Sequence, residues 1–289
     1  MAWEDDSWVG KHLGRHEYTA DAGAVQQFIA ATRDANPWYT GESPLGGPVV
    51  PALFLHSEQY RFPLKSWYLP KLFGNLHIKQ EWELFRAMPT GSRLWTHGMI
   101  LDRYLRRDRD VVVNEFSIFG DDDVLVARGR CHQSFLLDAA VAGSVVDKGA
   151  AAKKSVRPVE EAPPLELLAG ARKVTDPELC LAFSGPAKNY HNDREEAVKL
   201  GFPDVVVQGT LSTTFISELL TQRFGLGWIA GGRMSLNLIN VLWGGEAVTP
   251  KAAIRDRRPE GPRTRVSLDV WTEKDDGRKT IAGTASALQ

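Results

Sequence analysis

The sequence predicts an α+β protein in which one plan is used twice, each half supplying helices, a polar loop and four antiparallel strands. Three observations predict it. From Leu76 to Leu137 the chain runs through strand-like segments, HIKQEWELF, RLWTHGMILDRYLR, DVVVNEFSIFG and VLVARGRCHQSFLL, with a GDDD turn before the last. The second half repeats this with GGRMSLNLINVLW, AVTPKAAIRDRR, RTRVSLDVWTEKD and KTIAGTASALQ, and has a hairpin signal at Asp275-Asp276-Gly277. The spacing agrees: Gly245 follows Gly91 by 154 residues, and the stretch Pro186 to His191 follows Asp34 to Tyr39 by 152.

Each element has its own reason. Tyr18 to Thr32 puts Val25, Phe28, Ile29 and Thr32 at helical spacing behind Asp21, a natural N-cap. Asn36-Pro37 forces extended backbone and stops that helix. Gly and Pro loosen the next residues, and from Ala52 onward Leu53, Phe54, His56, Ser57 and Tyr60 predict a second, largely buried helix. After the first four strands, Asp138 to Pro164 is low in aromatics and rich in Ala, Lys, Val, Glu and Pro. Residues 141–164 are therefore the predicted linker between halves 1–140 and 165–289. In the second half Asp176 to Ser184 reads as a short helix and Pro186 to Asp193 as a polar loop. Asp193 caps the helix DREEAVKL, and GFPDVVVQG leads into a long helix from Gln208 to Phe224.

Composition narrows the function. Hydrophobic residues make up 43% and charged residues 25% of the 289, enough apolar material for a full core. A net charge of −1 leaves no basic footprint for nucleic acid or an anionic membrane surface. Two cysteines, Cys131 and Cys180, make neither a disulfide framework nor a metal-ligand spacing. The start MAWEDDSWVGKHLG lacks the pattern of a signal peptide, and no window reaches the ~20 apolar residues of a membrane helix, so a cytoplasmic protein is expected. No P-loop, Rossmann glycine pattern, serine elbow or zinc spacing is present.

The stretch Phe183 to Phe224 organises the rest. It joins a loop holding His191 to a helix N-terminus at Gly209, a place suited to bind and polarise a carbonyl. Gly185, His191, Asp193, Ala197, Gly201-Phe202 and Gly209 follow the pattern Ala-x-x-x-Gly-Asp-x-Asn-Pro-x-His-x-Asp, then Gly-Phe, then His-Gly. Asp34, Asn36 and Pro37 follow it in the first half. In these residues the chain resembles the MaoC-like hydratase and dehydratase family in its double hot-dog form. The resemblance implies two antiparallel sheets, each wrapped around a long central helix and joined into one layer. It implies hydration or dehydration of an acyl thioester carried by coenzyme A or a carrier-protein phosphopantetheine, with no metal or redox cofactor. The chain departs from the pattern where the family's Asp is Pro186, its Asn-Pro is Lys188-Asn189, and its His before the helix is Gln208. In the first half the His position is Tyr39.

The candidate catalytic residues are therefore His191, Asn189 and Gly209. A neutral imidazole exchanges protons near pH 7, although a loop histidine also serves as a backbone tie. Asn189 either holds a water by its amide or is a turn residue. Gly209 either offers free N–H groups to a developing enolate or lets the helix start pack closely. Candidate substrate-binding residues are Gln208, Tyr190, Asp34, Asn36 and Tyr39. Asp34 and Asn36 read as capping remnants of a lost first-half site, with a Tyr39 proton donor beside Asp34 as the alternative. His56, His77, His97 and His132 read as packed or surface histidines. Trp67, Tyr68, Trp82, Trp228 and Trp243 are core or pocket lining. The basic run IRDRRPEGPRTR is a solvated hairpin or a contact for coenzyme A phosphates.

The expected activity is thus a hydro-lyase step on an acyl thioester, small-molecule or held by acyl carrier protein. Thioester hydrolysis or another lyase step in the same cleft, or a non-catalytic acyl-thioester-binding subunit, stands as the alternative. The resemblance also implies assembly as a homodimer or with a hot-dog partner subunit.

Overall fold

The computed structural model describes residues 7–55, 74–106, 109–136 and 162–289. The first half contributes strands β1 (His12–Thr19), β2 (Leu76–Leu84), β3 (Arg93–Arg106), β4 (Arg109–Gly120) and β5 (Leu125–Leu136). The second contributes β6 (Glu166–Ala169), β7 (Lys173–Val174), β8 (Arg233–Leu238), β9 (Ala247–Glu260), β10 (Arg263–Lys274) and β11 (Lys279–Leu288). All belong to one antiparallel sheet in the order β1-β3-β4-β5-β2-β8-β11-β10-β9-β6, with β7 beside β9. The halves meet at β2 and β8, where Gln80 lies opposite Leu236 and Trp82 opposite Met234. That seam joins the two sets of strands into one continuous layer.

The repeated plan extends to single hydrogen bonds. Val50 N–H donates to Met88 O in the first half, and Val207 N–H donates to Leu242 O in the second. Gly91 N–H reaches Ala20 O as Gly245 N–H reaches Thr175 O, and both glycines hold a positive φ, 95° and 85°. Val49 N–H donates to Trp38 O, and Val206 N–H to Tyr190 O. This last pair aligns Trp38 with Tyr190, and so Tyr39 with His191 and Asp34 with Pro186.

Helix α1 (Ala22–Thr32) is capped by Asp21, whose side chain accepts from Ala24 N–H. A 3-10 turn at Pro37–Tyr39 follows, capped by Asn36. The second half has α2 (Pro177–Ser184), α3 (Arg194–Lys199), α4 (Gly209–Phe224) and α5 (Leu226–Ile229). Helix α4 is the central one. Residues 210–221 are all buried, although many are Ser or Thr. Bonds within the helix satisfy three of the buried hydroxyls, Thr213 to Thr210 O, Thr214 to Leu211 O and Thr221 to Ser217 O, whereas Thr210 Oγ1 is buried without a partner. Ser217 Oγ also accepts from the buried Trp228 indole at 2.8 Å. Leu211 and Phe215 pack with Leu179, Val207 and Val248, whereas Ile216, Leu219 and Leu220 join the larger core with Trp82, Phe116 and Val270.

Several sequence expectations need correction. The first helix begins at Ala22, because Tyr18 and Thr19 end strand β1, paired to Leu94 and Arg93. β1 is a polar edge strand without apolar alternation, so pairing with β3 specifies it more than its own pattern does. The segment GGRMSLNLINVLW is a strand only over β8, since Ile239 and Asn240 both turn their N–H groups to Thr280 O. β6 and β7 are too short to show a period. Of the predicted second helix, residues 52–55 form turns, and His56, Ser57 and Tyr60 lie outside the described residues, as do Trp67, Tyr68 and residues 141–161 of the predicted linker. Among the described residues no helix is long and apolar enough to cross a membrane.

Candidate functional site

The His191 loop is built from the asparagines around it. Asn189 Oδ1 accepts from His191 N–H at 2.9 Å, and its Nδ2 donates to Ala187 O at 2.9 Å and Ser184 O at 3.4 Å. Asn192 braces the same turn, accepting from Asn189 N–H and donating to Gly185 O, Ala187 O and Ser184 Oγ. The Asn189 amide is therefore engaged in shaping the loop. Asp193 caps α3 through Glu195 and Glu196 N–H and pairs with Lys188 at 2.8 Å.

The loop presents one imidazole. His191 Nδ1 lies 2.7 Å from Val206 O, and because a carbonyl only accepts, the proton sits on Nδ1 and Nε2 is bare. Burial lowers this imidazole to about 4, against the pull of the Val206 carbonyl, so it is neutral at pH 7. Tyr190 lies against the ring, centroids 3.8 Å apart, and stacks on Phe202. Leu76, Leu136 and Trp243 complete an apolar wall there.

Three residues after Val206 the chain enters α4 at Gly209. Here glycine is required by close approach: a Cβ would lie 2.4 Å from Leu238 Cδ2 and 3.2 Å from His77 Nδ1. Gln208 occupies the N-cap position without a side-chain capping bond, and its Oε1 is buried without a partner. The first N–H groups of α4 carry the positive end of the helix dipole.

His77, which the sequence suggests is a packed or surface histidine, also lies at this junction. It is the second residue of β2 in the first half, and just before that strand Gly74 N–H donates to Leu200 O at the end of α3 in the second half. His77 Nε2 lies 3.0 Å from Lys79 O and so carries the proton, whereas its Nδ1 is buried and unpartnered. Burial lowers this imidazole to about 4, against the Lys79 carbonyl, which favours its charged form, and the nearby His132 and His191 add to the fall. Gln80, Asn114 and Gln133 also bury unpartnered carboxamide oxygens on the neighbouring strands β2, β4 and β5, Gln133 lying opposite His77. The only hint in the sequence was a histidine opening the strand that follows the predicted central helix of the first half.

The first-half counterpart is a closed ionic cluster. Tyr39 OH donates to Asp34 Oδ2 at 3.2 Å, Asn36 N–H to Asp34 Oδ1, and Trp38 N–H to Asn36 Oδ1. Lys173 donates to Arg33 O and lies 2.7 Å from the Glu218 carboxylate of α4. Burial raises Asp34, raises Tyr39 beyond its ordinary range, and pushes Glu218 up to about 7. Asp34, Asn36 and Tyr39 thus bond one another, apart from the His191 loop.

The remaining candidates have other employment. His132 contacts Glu81 and His97 contacts His12. Trp82 and Trp228 are core, and Trp243 lies beside Tyr190. In the basic hairpin Arg255, Arg257, Arg258 and Arg265 pair with Asp269, Glu166, Asp256 and Glu260. A groove of about 480 Å³ crosses the outer face of the seam, lined by Glu83, Arg128, Arg255 and Asp269. Its Arg128 and Arg255 are matched by Glu83 and Asp269, and it contains none of the His191 site.

No family model and no curated protein matches the sequence. Solved structures do. A MaoC-like dehydratase superposes with a TM-score of 0.72 at 16% identity, over 97% of this chain and 98% of its own. A Mycobacterium tuberculosis protein described as having a double hotdog fold gives 0.61 at 14%, over 98% and 94%. A Lactobacillus plantarum protein described as an oleoyl thioesterase gives 0.53 at 10%, over 95% of each chain. At these identities the likeness establishes architecture, and it agrees with the single sheet and the repeated bonding of the two halves. The chain is a double hot-dog, built over nearly its whole length like a MaoC-like dehydratase.

Proposed function

We propose that this protein adds water to, or removes it from, the double bond of an acyl thioester at the His191 loop, the thiol being coenzyme A or a carrier-protein phosphopantetheine. One observation carries the reading: a neutral imidazole, its Nδ1 proton tied to Val206 O and its Nε2 bare, stands just before the N-terminus of a buried central helix. The bare Nε2 takes a proton from water as the oxygen bonds to C3. Charge then develops on the thioester oxygen, for which the first N–H groups of α4 are donors, worth about 3 kcal/mol each in a dry site. The imidazolium returns the proton to C2, and water has been added. Asn189 serves by holding the loop that aims His191. Pro186, standing where Asp34 stands in the first half, leaves Asp193, tied to the α3 cap and Lys188, as the carboxylate of the loop.

The test is to follow conjugated double-bond absorbance with 2-enoyl and 3-hydroxyacyl coenzyme A thioesters of several lengths, for wild type and His191→Ala. Wild-type turnover that falls by about 10²- to 10⁴-fold in the variant, with its fold retained, is expected. Wild type that turns over none of them sinks the reading.

The likeness to a protein described as an oleoyl thioesterase favours a second reading, hydrolysis of the thioester in the same cleft. Release of free thiol without change in the double bond distinguishes it in the same assay.

A further inference from the structure

Two histidines frame the junction from Val206 to Gly209, and they come from different halves of the chain. His191 is bonded to Val206 O. His77 lies against Gly209, its Nδ1 at 3.2 Å from the point a Cβ there would occupy. Each ring has its proton fixed on the nitrogen that faces a backbone carbonyl, Val206 O for one and Lys79 O for the other. Each therefore turns a lone pair, not a proton, towards whatever it meets. A buried acceptor without a donor costs about 1–3 kcal/mol, and the His77 Nδ1 is such an acceptor. A buried group left unsatisfied calls for an explanation, and a donor brought by water or a ligand is one.

A water molecule has two protons to donate, and holding it for attack on carbon requires an acceptor for each. The His191 loop offers one. The neighbouring carboxylates do not offer the second: Asp193 is committed to the α3 cap and Lys188, and position 186 is proline. Asp34 is bonded to Tyr39 and Asn36 in the first half.

We propose that His77 is that second acceptor, a catalytic residue given by the first half to the site of the second: the reacting water donates one hydrogen to His191 Nε2 and the other to His77 Nδ1. This rests on the hydro-lyase reading above. On attack, the water O–H bond facing His191 breaks and its proton passes to Nε2. The oxygen bonds to C3, and the π pair moves to the thioester oxygen as an enolate. C2 then takes the proton back from the His191 imidazolium, while the second hydrogen stays on oxygen as the product hydroxyl, held by His77. Atoms and charge balance, and no other reactant is needed.

The experiment compares wild type, His77→Leu and His77→Gln on the thioester panel, recording kcat, KM and thermal midpoint. Leucine removes the acceptor, and kcat is expected to fall about 100-fold while KM changes by less than about threefold. Glutamine offers an oxygen acceptor and is expected to recover kcat to within about tenfold of wild type. A His77→Leu enzyme with kcat within about threefold of wild type overturns the proposal. So does a glutamine variant as poor as the leucine one in a folded protein. Should neither variant fold, nitrogen-15 NMR of histidine-labelled wild type answers instead. The bare Nδ1 resonance of His77 is expected to move upfield on addition of 3-hydroxybutyryl-coenzyme A, and an unmoved resonance overturns the proposal. Failure of the underlying reading looks different, because wild type itself is then inactive on every thioester.

Discussion

Gly209 and Gly245 show how one residue type answers two different demands. Gly245 holds φ at 85° with open space where a Cβ would stand, so Gly245→Ala meets only backbone strain, about 1–2 kcal/mol. Gly209 has ordinary helical backbone but no room, with Leu238 at 2.4 Å and His77 at 3.2 Å from a Cβ. Gly209→Ala is expected to cost about 1–3 kcal/mol in denaturant unfolding and also to raise KM or lower kcat. Gly245→Ala is expected to leave kinetics unchanged. Equal kinetic damage from both would contradict the assignment of Gly209 to the site. The nearness of His191 to the start of α4 was legible because the loop and helix start lie within one stretch of chain. The place of His77 against Gly209 was not, because strand pairing between the two halves sets it and no local spacing encodes that.

At the scale of elements, α4 carries the second-half core. Phe215 is fully buried against Leu179, Val207 and Val248, and Phe215→Ala is expected to cost about 3–5 kcal/mol by chemical denaturation. Ser217→Ala takes away only a hydroxyl but leaves the buried Trp228 N–H without its acceptor, an expected loss of about 1–3 kcal/mol. If the serine variant is as stable as wild type, the bond to Trp228 is not holding α5 against α4. The long elements were readable from sequence. β3 and β10 are long enough to show a period, and α4 follows the turn GFPDVVVQG. β1, β6 and β7 were not, being edge or two- to four-residue strands that exist only because β3 and β9 offer them partners. The burial of α4 on all sides was also hidden, since its Ser and Thr residues read as polar, and only the structure shows Thr213, Thr214 and Thr221 bonded within the helix.

Across the whole molecule, the repeated fold keeps two sites of opposite electrostatic character. The second-half site holds His77 and His191 neutral, each lowered from 6.5 to about 4. The unfolded chain binds their protons first, so their contribution to stability is present above pH 6.5 and is lost as pH falls towards 4. The first-half site holds Glu218, raised from 4.5 to about 7, with Asp34 raised beside it. There the folded protein binds the proton first, so stability is full below pH 4.5 and is lost as pH rises through 7. The ceiling for each group is about 3 kcal/mol, reduced by solvent screening. The two trends oppose each other between pH 4.5 and 6.5, which predicts a shallow wild-type stability profile in that window. Removing one side should expose the other. Glu218→Gln, which keeps the shape but cannot ionise, is expected to lose the decline of stability between pH 6 and 8 and to show the acid decline of the histidines more steeply. His191→Gln is expected to do the reverse, weakening the acid decline while keeping the alkaline one. Denaturation midpoints at pH 5, 6.5 and 8 for the three proteins decide it: parallel profiles would mean that these buried groups titrate alike in the folded and unfolded chains, and the two sites would not then be the electrostatic opposites that their burial and partners make them.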